Sequence, residues 1–135
     1  MTAKITEKAV KERVKKILDL YATYNPLYKL NPMTFGYGES GHPDTLVLIG
    51  GKLLGIECKK DRNNHHVRPE LKAKPNEVMQ KRQREKIVAA GGEWLCVYNE
   101  NFDELIDTLD SLAPAPAEFF DVGHRRVLDK YREVL

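Results

Sequence analysis

Residues 41–60 read Gly-His-Pro-Asp-Thr-Leu-Val-Leu-Ile-Gly-Gly-Lys-Leu-Leu-Gly-Ile-Glu-Cys-Lys-Lys. Two short apolar runs flank Gly50-Gly51. This pattern predicts a β-hairpin, because a two-residue turn between strands needs positive φ angles at its central positions. If the turn lies at Gly50-Gly51, counting outward from it places Asp44 opposite Glu57. If the turn lies one residue later, Asp44 instead faces Lys59.

In either register, Asp44, Glu57 and Lys59 cluster on one face of the hairpin. Side chains alternate along a strand, so Glu57 and Lys59 share a face and Cys58 points to the other. Directly opposed residues have Cβ atoms roughly 4.5–5.5 Å apart, where two carboxylates repel each other unless a cation lies between them. Carboxylate oxygens suit hard cations such as Mg²⁺. The structural alternative is that Asp44 caps a turn after Pro43 while Glu57 pairs with Lys59.

Pro43-Asp44, followed after the glycine hairpin by Glu57-Cys58-Lys59, resembles the Pro-Asp…(Asp/Glu)-x-Lys signature of the restriction-endonuclease-like nucleases. Residues 40–44 and 56–59, with Gln80 eleven residues before Gly91-Gly92, are similar to the stand-alone VRR-NUC domains of phages and bacteria. The resemblance covers about residues 6–98. It implies an α/β fold with a restriction-endonuclease-like αβββαβ core, in which helices flank a small mixed central sheet and C-terminal helices follow.

The same resemblance implies an activity. The resemblance implies a DNA endonuclease that hydrolyses phosphodiester bonds with Mg²⁺ or Mn²⁺. It also implies that a homodimer cleaves branched DNA such as Holliday junctions in a structure-specific way. It implies no nucleotide cofactor, and a place in the cytoplasm of a bacterial or phage-infected cell. The implied catalytic residues are Asp44, Glu57, Lys59 and Gln80. The implied metal ligands are Glu7, Asp44, Glu57 and the backbone carbonyl of Cys58.

Two other functions stay open at this point. One is a non-catalytic nucleic-acid-binding module that retains the nuclease fold, although the intact set of implied catalytic residues argues against it. Binding by such a module should respond to salt and not to a metal. The other is a metal-dependent enzyme that acts on a substrate other than DNA.

Residues 6–21 are predicted to form the first helix. Thr6 can cap its start, and the apolar residues recur at helical spacing on one stripe, namely Val10, Val14, Ile17, Leu18 and Tyr21. Glu7 falls inside this stripe and Glu12 on the opposite face. Since the resemblance implies a glutamate on the first helix that reaches the metal, periodicity favours Glu7 over Glu12. The alternative is that Glu7 only completes the N-terminal turn.

Between this helix and the hairpin, Asn25-Pro26 and Asn31-Pro32 predict a loop over residues 24–32. Residues 33–37 are predicted to form a short first strand. The run 46–49 is apolar on both faces, which predicts a central strand covered by helices on both sides.

Basic residues are concentrated after the hairpin. The candidates for DNA contacts in this run are Lys60, Arg62, His65, His66 and Arg68. Adjacent histidines do not face one another, so we expect no metal pair there, and residues 61–74 are predicted to be an exposed or DNA-facing loop. The alternative is a solvated loop without a binding role.

The remaining elements follow from periodicity and capping. Pro75 suits a first helical position, and residues 76–90 are predicted to be a helix that Gly91-Gly92 ends. The resemblance implies that a glutamine of this helix meets the catalytic lysine or a water at the metal, and Gln80 matches by its position, with Gln83 as the alternative. We expect a strand over 93–98 and a helix over 101–112, so that residues 1–112 form the nuclease-like domain. A Pro/Ala linker over 113–117 and a helix over 118–135, packed on the core or at a dimer interface, should follow.

Composition sets limits on function. The chain has 135 residues, 41% hydrophobic and 31% charged, which is enough for one domain of ordinary composition. A net charge of +2 is too small for a protein that coats DNA. No apolar run approaches the ~18 residues of a membrane span. Cys58 and Cys96 are predicted to be reduced thiols in the core of a cytosolic protein.

Overall fold

The computed structural model describes residues 6–24, 26–32 and 41–113. A single mixed sheet has the strand order β1-β2-β3-β4, with the first three strands antiparallel and β4 parallel to β3. This architecture confirms the predicted α/β class with a small mixed sheet. The elements are α1 (Glu7–Tyr24), β1 (Tyr28–Leu30), β2 (Thr45–Ile49), β3 (Lys52–Cys58), α2 (Pro75–Ala89), β4 (Glu93–Val97) and α3 (Phe102–Leu112).

The hairpin forms in the first of the two predicted registers. Gly50 and Gly51 have φ angles of 58° and 77°, which residues with a side chain rarely adopt, and Ile49 pairs with Lys52. At the far end of the ladder Thr45 pairs with Ile56. One further step along this register places Asp44 opposite Glu57, as predicted.

One face of the sheet carries the hydrophobic core. The predicted stripe of α1, from Val10 to Tyr21, is completely buried, and it packs with α3 against the inward side chains of the strands. Burial of such a stripe is the main stabilising contribution in a small domain, at roughly 25 cal/mol per Å² of apolar surface. The Tyr21 hydroxyl donates a hydrogen bond to Asp110 Oδ1 at 2.8 Å, which links α1 to α3 and satisfies the polar end of a buried ring.

The second helix covers the opposite face of the sheet and connects the two parallel strands. Parallel strands need a long crossover, and α2 provides it between β3 and β4. The segment before β2 packs directly on this helix at Gly41. Its φ angle is 83°, and a Cβ atom at this position would lie 2.5 Å from the carbonyl carbon of Met79 and 2.7 Å from the backbone nitrogen of Gln80.

Two predictions about the strands are wrong. Residues 28–30 form the edge strand β1, although residues 24–32 were expected to be a loop. Prolines are tolerated beside an edge strand, so Pro26 and Pro32 flank this strand without preventing it. Strand β2 is central in the sheet, as predicted, but the helices of the described residues cover only one of its faces: Val47 is buried, whereas Leu48 is 48% exposed, because α2 lies over β3 and β4.

Several predicted features lie outside the described residues, namely the strand over 33–37, the final helix over 118–135 and the linker beyond Ala113. Cys58 and Cys96 are free and buried, as predicted. Burial raises the pKa of both thiols, that of Cys96 to about 12. Within residues 6–24, 26–32 and 41–113, no helix combines the length and the apolar character needed to cross a membrane.

Candidate active site

Three charged side chains converge where β2 begins and β3 ends. Asp44 directly precedes β2, Glu57 is the second-to-last residue of β3, and Lys59 directly follows β3. Their burial is unusual for charged residues: Glu57 is 3% and Lys59 9% exposed, and the Asp44 side chain is 24% exposed. The strand register therefore brings the predicted cluster together.

Asp44 is held by contacts on both of its carboxylate oxygens. Oδ2 accepts a hydrogen bond of 2.7 Å from the backbone N–H of Cys58, and Oδ1 lies 3.2 Å from the Nζ atom of Lys11. The first contact ties Asp44 to β3 beside Glu57, so the carboxylate does not cap a turn after Pro43. The alternative structural interpretation of this residue is therefore wrong.

The second carboxyl group is in a strained electrostatic position. Burial, and then the neighbouring Asp44 carboxylate, raises the pKa of Glu57 to about 9. Both effects disfavour the charged form, and a cation placed between the two groups would reverse the second of them. Lys59 and Glu57 do not form a direct ion pair with each other. Each of the two side chains forms a hydrogen bond with Gln80 instead.

Gln80 on α2 connects the two strand residues. Its Nε2 donates to Glu57 Oε1 at 3.2 Å, and its Oε1 accepts from the Nζ atom of Lys59 at 3.3 Å. These partners fix the orientation of the amide, because an ammonium group can only donate and a carboxylate oxygen accepts. Of the two glutamines of this helix, Gln80 is the one that contacts Lys59 and Glu57, whereas Gln83 lies buried further along α2.

His66 is a component of the site that the sequence did not predict. Its Nε2 lies 2.6 Å from Gln80 Oε1, which requires Nε2 to donate, and the ring is 8% exposed. Burial lowers the pKa of His66, and the nearby Lys59 and Arg84 lower it further. In the described part of the chain its Nδ1 atom has no hydrogen-bond partner.

The expectation of an exposed loop is therefore wrong at His66. The loop turns inward there, because Asn64 accepts backbone hydrogen bonds from Val67 and Arg68 and forms a local turn. His65 is half-buried, and its Nδ1 lies 2.8 Å from the carbonyl oxygen of Leu71. No periodic signal in this polar run marks one histidine for burial. By contrast, Lys60, Arg62 and Arg68 are exposed, and their contact with DNA stays a prediction.

Lys11 is the second residue that the sequence interpretation missed. Its Nζ atom lies 3.4 Å from Glu7 Oε2 and 3.2 Å from Asp44 Oδ1, so it links the first helix to the site. Burial would lower the pKa of Lys11, but the Asp44 and Glu7 carboxylates outweigh it and raise the pKa. Its signal was present in the sequence, since Lys11 follows Glu7 by one helical turn and shares its face.

The donor set fits a divalent cation that completes its coordination from other sources. The described residues contain no group of three or more His, Cys, Asp or Glu side chains arranged to hold a metal. Two adjacent carboxylates are nevertheless present, one of them buried and with a raised pKa. One or two carboxylates together with water and phosphate oxygens is the usual protein site for Mg²⁺.

No family model, curated protein or solved structure matches the chain.

Proposed function

We propose that the protein is a metal-dependent DNA endonuclease that hydrolyses phosphodiester bonds with Mg²⁺ or Mn²⁺. The observation that carries the proposal is the pairing of Asp44 with the buried Glu57, whose carboxyl group is bridged to Lys59 by Gln80. A cluster of this composition is costly for a purely structural role, because buried charged groups destabilise the fold unless something compensates them.

The finer fold assignment belongs to the same proposal. The observed order of elements, one helix, three antiparallel strands, a helix and a strand parallel to the third, is the order of a restriction-endonuclease-like αβββαβ core. This order, together with the Pro43-Asp44 and Glu57-Cys58-Lys59 motifs, supports membership of the VRR-NUC family.

In the proposed mechanism, Asp44, Glu57 and the backbone carbonyl of Cys58 would hold the metal, and Glu7 would add a further ligand. When bound, such an ion activates the attacking water and neutralises charge on the phosphate. Lys59 donates to a phosphate oxygen, where negative charge increases as the water oxygen bonds to phosphorus and the bond to the leaving oxygen breaks. The attacking water gives up a proton to solvent, and the leaving oxygen takes one from solvent. Gln80 holds the Lys59 ammonium group in place, and Gln80 is itself held by His66.

The proposed substrate is branched DNA, and the proposed active form is a homodimer. A four-way junction has two-fold symmetry, and a symmetric dimer presents two equivalent sites to it. This preference, like a place in the cytoplasm of a bacterial or phage-infected cell, is supported by the resemblance alone.

The test is a cleavage assay with Mg²⁺ or Mn²⁺ on labelled four-way junction, flap, single-stranded and linear duplex DNA. Asp44→Ala and Lys59→Ala should each lose most of the rate. Glu85→Ala and Lys52→Ala are matched controls that remove the same charges from exposed positions, and they should cleave like the wild type.

Paired symmetric nicks in the junction would support a dimer that resolves junctions. Absence of metal-dependent cleavage of every substrate by the wild type would contradict the proposal. Salt-dependent binding that is unaffected by EDTA would then favour a non-catalytic binding module.

A further inference from the structure

A cavity of about 340 Å³ lies between α1 and the start of β2, next to the candidate active site. Asp44 and Cys58 form the wall that it shares with that site, and Leu18 contributes an apolar side chain. The volume lies within the range of cavities that bind small ligands, roughly 300–1,000 Å³. Nothing in the proposed mechanism uses this space.

Lysines outnumber carboxylates among the described residues that line the cavity. Four lysines face two carboxylates, and these six residues are Lys8, Lys11, Lys15, Lys29, Glu12 and Asp44. Lys11 is paired with Glu7 and Asp44, and Lys29 with Asp19. Lys8 and Lys15 form no ion pair with any residue of the described ranges. Lys8 and Lys15 are exposed, so the two lysines of the cavity without an ion pair face solvent.

The spacing of these lysines suits a chain of phosphates. Lys8, Lys11 and Lys15 are three to four residues apart, so they form a row on one side of the helix. From Lys8 to Lys15 the row is roughly 10 Å long, at 1.5 Å per residue. Phosphates of one DNA strand rise ~3.4 Å each along the duplex axis, so a row that runs parallel to this axis covers the rise of about three nucleotides.

We propose that this cavity, the α1 pocket, binds the sugar-phosphate backbone of the substrate strand beside the scissile phosphate, with Lys8 and Lys15 as the phosphate contacts. The inference rests on the proposed function, because Asp44 joins the pocket to the site of cleavage. Among the described residues that line the pocket, none is aromatic and four are lysines, so the contacts we propose are with phosphates, which position a strand without reading its sequence.

Glu12 gives the inference a second, opposite test. It lines the pocket between Lys8 and Lys15, and its negative charge opposes the binding of a phosphate. If the pocket holds DNA, removing this charge strengthens binding, whereas removing either lysine weakens it. A surface lysine row without a ligand predicts no such pair of opposite effects.

The experiment measures binding of fluorescein-labelled single-stranded and duplex DNA by anisotropy in EDTA, at several salt concentrations. EDTA prevents metal-dependent cleavage, so binding is observed separately from catalysis. Lys8→Ala/Lys15→Ala is compared with Lys16→Ala/Lys52→Ala, a control with the same change in net charge at exposed positions outside the pocket. Thermal unfolding shows whether all variants fold like the wild type.

We expect the pocket variant to raise Kd on the order of tenfold at low salt and to reduce the slope of log K against log salt by about 1.4–1.8, which is two phosphate contacts. The control should change the slope by less than half of that. Glu12→Gln should bind more tightly than the wild type. Equal Kd and slope for the pocket and control variants would overturn the inference, as would weaker binding by Glu12→Gln.

The two proposals fail in different ways. If the wild type does not cleave DNA with any metal, but the pocket variant still loses affinity, the pocket stands and the nuclease function is wrong. If the wild type cleaves and the pocket variant has the same KM and Kd as the control, the nuclease function stands and the pocket is wrong.

Discussion

The two faces of the central sheet differ in what they contribute. The face under α1 and α3 is apolar, and residues such as Ile17, Ile56 and Leu105 are completely buried there. The face under α2 carries the buried Glu57, which contacts Gln80 of that helix. Because side chains alternate along β3, successive residues of one strand belong to the two faces. The residues that stabilise the fold and those of the proposed chemistry are therefore direct neighbours along β3.

The largest effect on stability is expected on the apolar face. Ile56→Ala should destabilise the fold by about 2–5 kcal/mol, because it removes buried methyl groups and leaves a cavity. Leu53→Ala on the other face is the control, since Leu53 is 38% exposed, and it should cost less than about 1 kcal/mol. Urea denaturation measures both, and equal losses would remove the distinction between the faces.

The largest effect of a glutamine substitution on rate is expected at Gln80. Gln80→Ala should lower kcat about 10²–10³-fold, comparable to the loss of one oriented donor in an active site. The reason is that Lys59 and Glu57 both lose the partner that positions them. Gln83→Ala on the same helix should leave kcat within about threefold. A larger loss for Gln83→Ala than for Gln80→Ala would contradict the assignment.

The substitution Glu57→Gln should raise stability and abolish activity. Glu57→Gln removes a carboxyl group whose buried position raises its pKa to about 9, so the metal-free protein should become more stable by about 1–3 kcal/mol at neutral pH. The same variant should not cleave DNA. Denaturation in EDTA beside the cleavage assay tests the pair of outcomes, and a destabilised variant would show that the charged form is tolerated.

The pH dependence of stability should change in the same variant. The folded pKa of Glu57 lies above its ordinary value near 4.5, so between pH 4.5 and about 9 the folded state binds more protons than the unfolded state. The contribution of Glu57 to the free energy of unfolding therefore falls as the pH rises from 4.5 to about 9. In EDTA, Tm should decline from pH 5 to pH 9 more steeply for the wild type than for Glu57→Gln. Parallel profiles would rule out the raised pKa.

His66 should have the smallest of these effects. His66→Ala should lower kcat about tenfold and leave KM nearly unchanged, because His66 is buried and acts through its contact with Gln80. His66→Gln retains a donor and should recover part of the rate. If neither variant changes kcat while both lower Tm, the histidine is only a packing residue.

Local patterns explain what could be predicted from the sequence. The Gly50-Gly51 turn and the alternation of side chains determine the register, and the register brings Asp44 to Glu57. The spacing of apolar residues likewise identified the buried stripe of α1. These features depend on neighbours in the chain, which a single sequence contains.

The missed features depend on how distant segments meet. His66 is buried because its loop turns inward under Gln80, and no periodic pattern encodes that path. Lys11 meets Asp44 only after α1 has docked against the end of β3. Strand β1 was missed because an edge strand of three residues between prolines has the composition of a loop.

The contact of Gly41 with α2 has a consequence for the evolution of this protein. A side chain at this position would meet the backbone of Met79 and Gln80, and backbone atoms cannot repack around it. Lineages that retain the site should therefore retain glycine two residues before Pro43, even where the rest of the chain diverges. Distant relatives should be recognised by Gly-x-Pro-Asp together with the later Glu-x-Lys and glutamine, a more selective signature than Pro-Asp alone.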